Sequence, residues 1–520
     1  MLTPPQDPVL QEFLQPLAID LQTSYRLSSL FLNNFTYLAA QSPDQFLPTP
    51  ISESILRPIA NTGSGRHLAI DIGGTNLRVG FIELVGNDLR NGHYNGDAKP
   101  HLNGNSHPGE RIRRLFEKSW PISNHLKNQN AESLFQWIGE CIAQVVESAR
   151  KDLNIPSDVK LPLGVTFSFP AQQSSLSQAS VTSMGKGFAI SEGADLGICI
   201  QEGYAKFKTP ELPEIQVTAI ANDSVSTLVS FIFNFDASER RRASMGLILG
   251  TGSNATVPLK LNRLHPSKWP KNVSMLDGEN VNHTRIAVNT EWSINGTESP
   301  MRELSLITKW DDVLSAQNER PGFQPLEYMT AGRYLGELGR LMLVDYLTIT
   351  LSIAKDTLPE KILQPGALTT TFLSHFKPLE TTTLLALLQA EIPTTGQFTW
   401  TEQYAAALYH IAKAIEYRAA GIIAAAIIAL LTLAEELPVS AADQATAPSA
   451  DLGVGYTGGC IVHFQDYLVD CQQFLDDILA LKFDGALPAK VVLSPCHDGG
   501  ISGAGILAAA SLSSSEAGTA

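Results

Sequence analysis

The chain has 520 residues, a formal net charge of −15 at pH 7, 44% hydrophobic residues and 17% charged residues. This composition is typical of a soluble globular protein, and the length exceeds one ordinary core, so two domains or a split domain are expected. The acidic charge argues against a nucleic-acid partner, and five cysteines without a CxxC spacing argue against a disulfide framework or a zinc site.

The N-terminal region predicts helices and no export signal. Residues 8 to 40 have the apolar spacing of amphipathic helices. The first residues, MLTPPQDPVLQEF, contain acids and prolines where a signal peptide needs a basic start and an apolar run. With the few cysteines, this favours a cytoplasmic protein.

Two strand-like runs, HLAIDIGG and RVGFIELV, flank the segment DIGGTNLR. A turn that lets a phosphate chain approach the backbone needs glycines such as Gly73 and Gly74, because a β-carbon would obstruct both the turn and the ligand. Thr75 and Asn76 add donors, and Asp71 at the strand end is suited to hold Mg²⁺ through water. A plain Gly-Gly hairpin is the alternative, but the acid before it and the Thr-Asn-x-Arg after it favour a phosphate site.

The middle of the chain alternates between strands and helices. Residues 96–110 are polar and rich in Gly, Pro and Asn, which predicts a surface insertion. A helix over 131–151 precedes three buried strands, in LPLGVTFSF, VTAIAND and MGLILG. This alternation predicts an α/β fold.

Polar residues follow two of these strands. Asn222 and Asp223 end the run VTAIA, and a carboxylate at the end of a buried strand is well placed to accept a proton from a substrate hydroxyl. Asn-Asp is also a common turn, so the dipeptide alone decides little. Ser168 and Lys186, on the preceding segments, are equally ambiguous from the residues alone.

The strand MGLIL leads into LGTGSNA, which contains Thr251 and Gly252. This segment matches half of a dinucleotide-binding fingerprint, but no helix with an acidic ribose partner follows at the right distance. A second phosphate loop is the better interpretation. The sequence has no GxxxxGK[ST] loop, no HRD or DFG motif and no HExxH spacing.

The C-terminal half is predicted to be mainly helical from about residue 327. Residues 419–434, AAGIIAAAIIALLTLA, are apolar throughout but fall short of the roughly 20 residues that a spanning helix needs. We therefore predict a buried core helix and no membrane span. Residues 438–451 have low complexity and predict a mobile loop.

Taken in order, these segments resemble the hexokinase family over nearly the whole chain. DIGGTNLRV resembles the family's first phosphate segment, LGVTFSFPAQQSSL its sugar-binding signature, AIANDSVSTL the segment with the catalytic aspartate, and LGTGSNA the second phosphate loop. VNTEW and PLEYMTAGRYLGEL resemble the segments that supply glutamates to the sugar. The resemblance implies an α/β, actin-like ATPase (ribonuclease H-like) fold, whose small and large domains close over sugar and ATP.

The resemblance also implies a domain division and site residues. The implied division is 1–62 as the N-terminal helical part of the large domain, 63–222 as the small domain, 223–493 as the large domain, 494–512 as a C-terminal helix returning to the small domain, and 513–520 as a flexible tail. Asp223 would be the general base on the sugar 6-hydroxyl, and Lys186 would stabilise charge near the reacting centre. The residues expected to hydrogen-bond the sugar are Ser168, Asn222, Asn254, Glu291 and Glu327. ATP and Mg²⁺ would be held by Asp71, Gly73, Gly74, Thr75, Asn76, Arg78, Thr251, Gly252, Thr457, Gly458 and Gly459, with Asp71 nearest the metal.

Departures from the family pattern indicate a subgroup. Glucose-phosphorylating relatives usually have Trp-Thr-Lys-Gly-Phe before the catalytic segment, whereas this chain has SMGKGF, so a sugar-binding threonine is replaced by Gly185. Fungal N-acetylglucosamine kinases of the family share this loss, and they also resemble the chain at EKSWPI, HPSKW, FQPLEYMTAGRYL and VGYTGG. VGYTGG and HDGGISGAG stand where the family has its adenosine segment and last helix, with differing residues. We therefore expect an N-acetylglucosamine kinase, with a glucokinase-like enzyme or a catalytically weak sugar-sensing regulator as alternatives.

Overall fold

The computed structural model describes most of the chain. The described residues are 5–62, 64–85, 111–123, 125–126, 131–169, 171–181, 193–235, 241–394, 396–446, 450–512 and 515–518. The predicted insertion 96–110, Gly185 and Lys186 lie outside these residues.

Two β-sheets and a β-hairpin form the framework. The strands are β1 (Leu47–Ser52), β2 (Gly65–Ile72), β3 (Asn76–Leu84), β4 (Ile112–Pro121), β5 (Lys160–Phe167), β6 (Ala171–Ser175), β7 (Gln178–Val181), β8 (Glu214–Ala221), β9 (Arg241–Leu249), β10 (Ser253–Lys260), β11 (Asn272–Met275), β12 (Arg285–Asn289), β13 (Asp451–Thr457), β14 (Val491–Pro495) and β15 (Ser515–Gly518). A five-stranded sheet has the order β4-β3-β2-β5-β8, and an eight-stranded sheet has the order β14-β13-β9-β10-β12-β1-β11-β15. β6 and β7 form the hairpin.

Helices surround both sheets. The α-helices are Pro8–Leu14, Leu21–Gln41, Glu53–Thr62, Ala131–Ala149, Leu196–Ala205, Asp223–Phe235, Glu298–Glu303, Lys309–Gln317, Pro325–Thr330, Leu335–Asp345, Glu360–Leu363, Thr370–His375, Thr381–Glu391, Glu402–Leu433, Gly459–His463, Tyr467–Lys482 and Gly499–Ser511. Short 3₁₀ helices span Gln15–Leu17, Leu261–Arg263, Pro266–Lys268, Lys355–Thr357 and Ala441–Thr446, and a π-helical turn spans Tyr346–Thr350.

The five-stranded sheet gathers polar residues at one edge. β2, β5 and β8 run parallel, while β3 and β4 are antiparallel to their neighbours. The parallel strands are buried on both faces, which explains their continuous apolar sequences. Their carboxyl ends therefore meet, and Ser168 donates its backbone N–H to the carbonyl of Ile72 across 3.1 Å.

The eight-stranded sheet brings two glycine segments together. β9 and β10 form an antiparallel hairpin closed by Gly250–Gly252, and β13 lies parallel to β9, with Thr457 opposite Ile248. At the far edge of this sheet, β15 pairs antiparallel with β11. Residues 515–518 thus form a strand where the sequence predicts a flexible tail, because backbone pairing to β11 orders a segment whose own composition favours no structure.

The C-terminal helix Gly499–Ser511 lies between the five-stranded sheet and the helix Asp223–Phe235. Its small residues allow close contact, since a β-carbon on Gly503 would lie 2.1 Å from the carbonyl oxygen of Ser226 and one on Gly505 would lie 2.4 Å from Cβ of Ile82. The helix therefore joins β2 and β3 to the helix that begins at Asp223.

The segment LEYMTAGRYLGELGRLMLVDYL, predicted to be mainly helical, forms two helices, Pro325–Thr330 and Leu335–Asp345. The chain breaks because two backbone amides are used elsewhere. Gly332 donates to the carbonyl of Gly250 across 2.8 Å, and Arg333 donates to the carbonyl of Thr251 across 3.1 Å. The break therefore anchors the loop at Gly250 and Thr251 to the segment between the two helices.

The helix Glu402–Leu433 contains the apolar run 419–434 almost entirely. By length and composition it could cross a membrane, but 94% of its most apolar window is buried inside the protein, as in the core helix of a soluble protein. It packs against Leu21–Gln41 and Tyr467–Lys482.

Arg418, on this helix, is fully buried and pairs with Asp311 through two bonds of 2.7 and 2.8 Å. Burial alone would raise the pKa of Asp311, but the guanidinium of Arg418 outweighs it and the pKa is lowered. Arg418→Met should cost about 3–5 kcal/mol of unfolding free energy, because it leaves a buried carboxylate without its counter-charge.

The exposed pair Arg302–Asp312 provides a matched control for this prediction. Arg302→Ala should cost at most about 1 kcal/mol, since both charges remain hydrated. Urea unfolding of the two variants measures the difference. Equal losses would contradict a structural role for the buried pair.

Candidate active site

A cluster of amide and carboxylate side chains joins the ends of the two sheets. Nδ2 of Asn254, at the start of β10, lies 2.9 Å from Oδ1 of Asn289, 3.3 Å from Oε1 of Glu291 and 3.4 Å from Oδ1 of Asn222. Asn289 in turn donates to Oε1 of Glu291 across 2.8 Å. The cluster presents fixed donors and acceptors, which suits recognition of a ligand with several hydroxyl groups.

Both predicted glutamates are held in place by the backbone around them. Glu291 has φ of 45°, in the left-handed region, and its carbonyl accepts from Nε2 of Gln45 across 3.2 Å. Oε2 of Glu327 accepts the backbone N–H of Ser253 across 2.9 Å, directly after the second glycine loop. A β-carbon on Gly252 would lie 2.8 Å from that same oxygen, so the glycine makes room for the carboxylate. Glu291 and Glu327 are both buried.

Asp223 is the first residue of the helix Asp223–Phe235. Its Oδ1 accepts the backbone N–H of Ser224 across 2.8 Å, and its carbonyl accepts from Oγ1 of Thr227 across 2.9 Å. Oδ1 of Asn222 accepts from the hydroxyl of Ser224 across 2.8 Å. The carboxylate therefore stands at the positive end of a helix, on a backbone fixed by short-range bonds.

Asp71, the penultimate residue of β2, lies close to other acids. The pKa of Asp71 is raised to about 7, chiefly because the carboxyl group is buried; the carboxylates of Asp223 and Asp498 contribute to the rise, and Arg78 opposes it. A β-carbon on Gly500 would lie 2.6 Å from Oδ2 of Asp71, so the C-terminal helix approaches this acid through a residue without a side chain. The arrangement concentrates negative charge where a cation would be stabilised.

Two arginines share one aspartate beside Asp71. Asp498 accepts from Nη1 of Arg78 across 2.8 Å and from Nη1 of Arg114 across 2.9 Å. Asp498 immediately precedes the C-terminal helix and has φ of 53°. These ion pairs fix the C-terminal helix to β3 and β4.

The predicted nucleotide residues fall into two described groups. In the first, Gly73 donates to the carbonyl of Asn76 across 3.0 Å and closes the turn between β2 and β3, leaving Thr75 and Asn76 exposed. In the second, Gly458 lies against the β9–β10 loop. A β-carbon added to Gly458 would be 2.3 Å from the carbonyl carbon of Leu249. Thr457, Gly458 and Gly459 thus adjoin the loop that contains Thr251 and Gly252.

The structure places most of the sequence-predicted residues in one region. Asn222, Asn254 and Glu291 belong to the polar cluster, and the carboxylate of Asp223 acts on the pKa of Asp71. Ser168 directly follows β5 and donates its backbone N–H to Ile72, the last residue of β2. Lys186 lies outside the described residues.

Sequence analysis missed Asn289, Arg114 and Asp498. Asn289 lies in the segment VNTEW and Asp498 lies in HDGGISGAG. Both segments had been compared with the family, so these two residues could have been found from their motifs. Arg114 had none, because its role depends on an acid 384 positions further along the chain.

Comparisons with known proteins find similarity over most of the chain. Two models of the family described as Hexokinase match residues 9–233 and 244–510. The chain is 31% identical to hexokinase-2 of Rattus norvegicus over 352 residues, which is 67% of this chain and 32% of that protein. It is 30% identical to the hexokinase of Schwanniomyces occidentalis over 308 residues, covering 59% of this chain and 55% of that one. The matched part therefore spans between a third and about half of these relatives.

A solved structure has the same fold. The hexokinase of Schistosoma mansoni, determined as a complex with glucose, superposes with a TM-score of 0.72 over 96% of this chain and 98% of that chain, at 21% identity. The actin-like α/β fold expected from the sequence is thereby confirmed.

Proposed function

Because the chain belongs to the hexokinase family, we propose that it transfers the γ-phosphoryl group of ATP to the 6-hydroxyl of a sugar, and that this sugar is N-acetylglucosamine. The observation that carries the proposal is the position of Asp223. Its carboxylate stands at the edge where the parallel strands end, next to the polar cluster and electrostatically coupled to Asp71. A base, a site for hydroxyl groups and an acidic position for a cation thus share one region.

The proposed reaction follows from these positions. The polar cluster and Glu327 hold the ring hydroxyls, so that the 6-hydroxyl lies within reach of Asp223. Asp223 takes the hydroxyl proton as the sugar oxygen forms its bond to the γ-phosphorus. The bond between that phosphorus and the bridging oxygen to the β-phosphate breaks, and ADP leaves with the electron pair.

The nucleotide would lie between the two glycine segments. Gly73 to Asn76 provide a turn with exposed donors, and the second group, around Thr251 and Gly458, forms the opposing surface. Lys186 stays a prediction from the sequence as the group that stabilises charge on the transferring phosphoryl.

The residues present fit Mg²⁺. Within the described part of the chain there is no set of three or more His, Cys, Asp or Glu that would enclose a metal. Asp71 offers a single carboxylate, which suits a cation that keeps several waters and takes phosphate oxygens as ligands. Bound there, Mg²⁺ would neutralise charge on the phosphates.

Sugar choice is proposed from the segment SMGKGF. Gly185 replaces a threonine that contacts the sugar in glucose-phosphorylating members, which removes a hydrogen bond and opens space. The two relatives described above are named as hexokinases, which favours the alternative of a hexose kinase acting on glucose. The regulator alternative is disfavoured because the chain keeps Asp223, Lys186 and the whole segment DIGGTNLR.

Gly185→Thr should shift the ratio of kcat/KM values towards glucose by about tenfold, since the hydroxyl restores a contact to the sugar and occupies space. Steady-state assays with both sugars at saturating ATP measure the ratio, and KM for ATP serves as the internal control. An unchanged ratio would show that Gly185 does not determine which of the two sugars is preferred.

The product tests the position of transfer. After incubation with ATP, Mg²⁺ and N-acetylglucosamine, the phosphorus resonance of the product should couple to the two protons on C6. Coupling to a ring proton instead would contradict the assignment of Asp223 to the 6-hydroxyl.

A further inference from the structure

A small cavity adjoins the polar cluster. It lies between β1, the segment that joins β5 to β6, and the ends of β8 and β12, and its lining includes Asn222 and Asn289 of the cluster itself. Its free space is about that of one methyl group or one water molecule. The cavity therefore shares Asn222 and Asn289 with the region where the ring of a sugar is proposed to bind.

The walls of the cavity combine apolar and amide groups. Phe167 and Phe169 flank Ser168 on one side, and their rings lie 5.0 Å apart. The β6–β7 hairpin contributes Ala179, which is buried and paired in register with Gln173. Nε2 of Gln173 donates to the carbonyl of Ile220 across 2.8 Å, which fixes this amide at the cavity wall.

This chemistry matches a short N-acyl group. The aromatic and alanine walls favour a methyl group, and the side-chain amides of Gln173, Asn222 and Asn289 can bond the N–H and the carbonyl of a ligand amide. A plain hydroxyl has a similar size, but it would place a polar atom against the aromatic and alanine walls. A charged group would lose its hydration, and none of the described residues that line the cavity carries a charge.

We propose that this cavity receives the methyl end of the sugar's acetamido group and that Ala179 limits the length of the acyl chain. The inference rests on the proposed function, because it assumes an N-acylated sugar in the cluster. Ala179 is a lining residue where adding two methyl groups, as valine, or removing one, as glycine, changes the size of the cavity without changing its amide groups.

The test compares affinities for N-acetylglucosamine and glucose in Ala179→Val, each sugar being titrated by calorimetry. We expect affinity for N-acetylglucosamine to fall about tenfold, while affinity for glucose changes by less than about twofold. Ala143→Val, at a buried alanine of the helix Ala131–Ala149, is the matched control and should leave both affinities unchanged. Equal losses for the two sugars, or none, would overturn the proposal.

A second variant tests the cavity by enlargement, in case the valine disturbs folding. Ala179→Gly should improve the affinity for N-propanoylglucosamine relative to N-acetylglucosamine by about threefold or more, because the extra methylene gains space. An unchanged preference between the two acyl sugars would overturn the proposal.

The proposed function fails independently if the unmodified protein phosphorylates glucose but not N-acetylglucosamine. The affinities of the Ala179 variants for the acylated sugars test the role of the cavity separately, because they do not depend on which sugar is phosphorylated.

Discussion

Asp223→Ala is expected to lower kcat by about 10²- to 10⁴-fold, which effectively abolishes turnover, while sugar affinity stays within a few-fold of that of the unmodified protein. The expectation follows from the separation of roles in the site. Asn254, Asn289 and Glu291 bond one another independently of the Asp223 side chain, so they keep their positions when it is removed. Only the acceptor for the 6-hydroxyl proton is lost.

Two measurements and one control variant test this prediction. Single-turnover phosphorylation gives the chemical step, and calorimetric titration of the sugar gives its affinity separately. Asp312→Ala, which removes an exposed carboxylate paired with Arg302, is the control and should leave both values unchanged. Substantial turnover by Asp223→Ala would show that another group accepts the proton.

Gly458→Ala is expected to lower kcat/KM for ATP by about 10²-fold, because displacement of a binding segment by even 1 Å has effects of this size. Gly458 has φ of 129°, and a β-carbon there would lie 2.3 Å from the carbonyl carbon of Leu249. Neither the backbone of Gly458 nor that of Leu249 can relieve this contact locally. The two glycine segments at the end of the eight-stranded sheet must therefore separate.

Two other glycines distinguish this steric effect from backbone strain. Gly278 and Gly485 have φ of 86° and 78°, but a β-carbon at either would meet nothing within 4 Å. Gly278→Ala and Gly485→Ala should therefore cost stability without changing KM for ATP. If Gly458→Ala behaves like these controls, the segment Thr457–Gly459 does not shape the nucleotide site.

The residues at the carboxyl ends of β2, β5 and β8 were predictable from sequence. Each buried parallel strand has a continuous apolar run, and the polar residue that follows it marks the edge of the sheet, as with Asn222 after VTAIA. The glycine pattern of DIGGTNLR likewise predicts a turn, which the bond from Gly73 to Asn76 closes.

Contacts between distant segments were not predictable in the same way. Arg78 and Asp498 are separated by 420 positions, and nothing in either local sequence states that they pair. The helix break at Ala331–Tyr334 is also invisible to periodicity, since it results from amides donated to the loop at Gly250 and Thr251. The burial of Arg418 within its helix depends on Asp311, more than 100 positions earlier.

The cavity beside the polar cluster was not predictable either, because it also depends on contacts between distant segments. Phe167 and Ala179 come from neighbouring segments, but Asn289 comes from the other sheet, so only the assembled fold brings them together. Sequence analysis could infer extra room from Gly185 alone, without a location.

The proposed sugar specificity is tested most directly by one ratio, kcat/KM for N-acetylglucosamine divided by kcat/KM for glucose. Both values are measured side by side with the purified protein, ATP and Mg²⁺. We predict a strong preference for N-acetylglucosamine. Equal or greater activity on glucose would contradict the proposed specificity and identify a hexose kinase, whereas sugar binding without turnover of either sugar would contradict the catalytic role of Asp223 and favour a regulator.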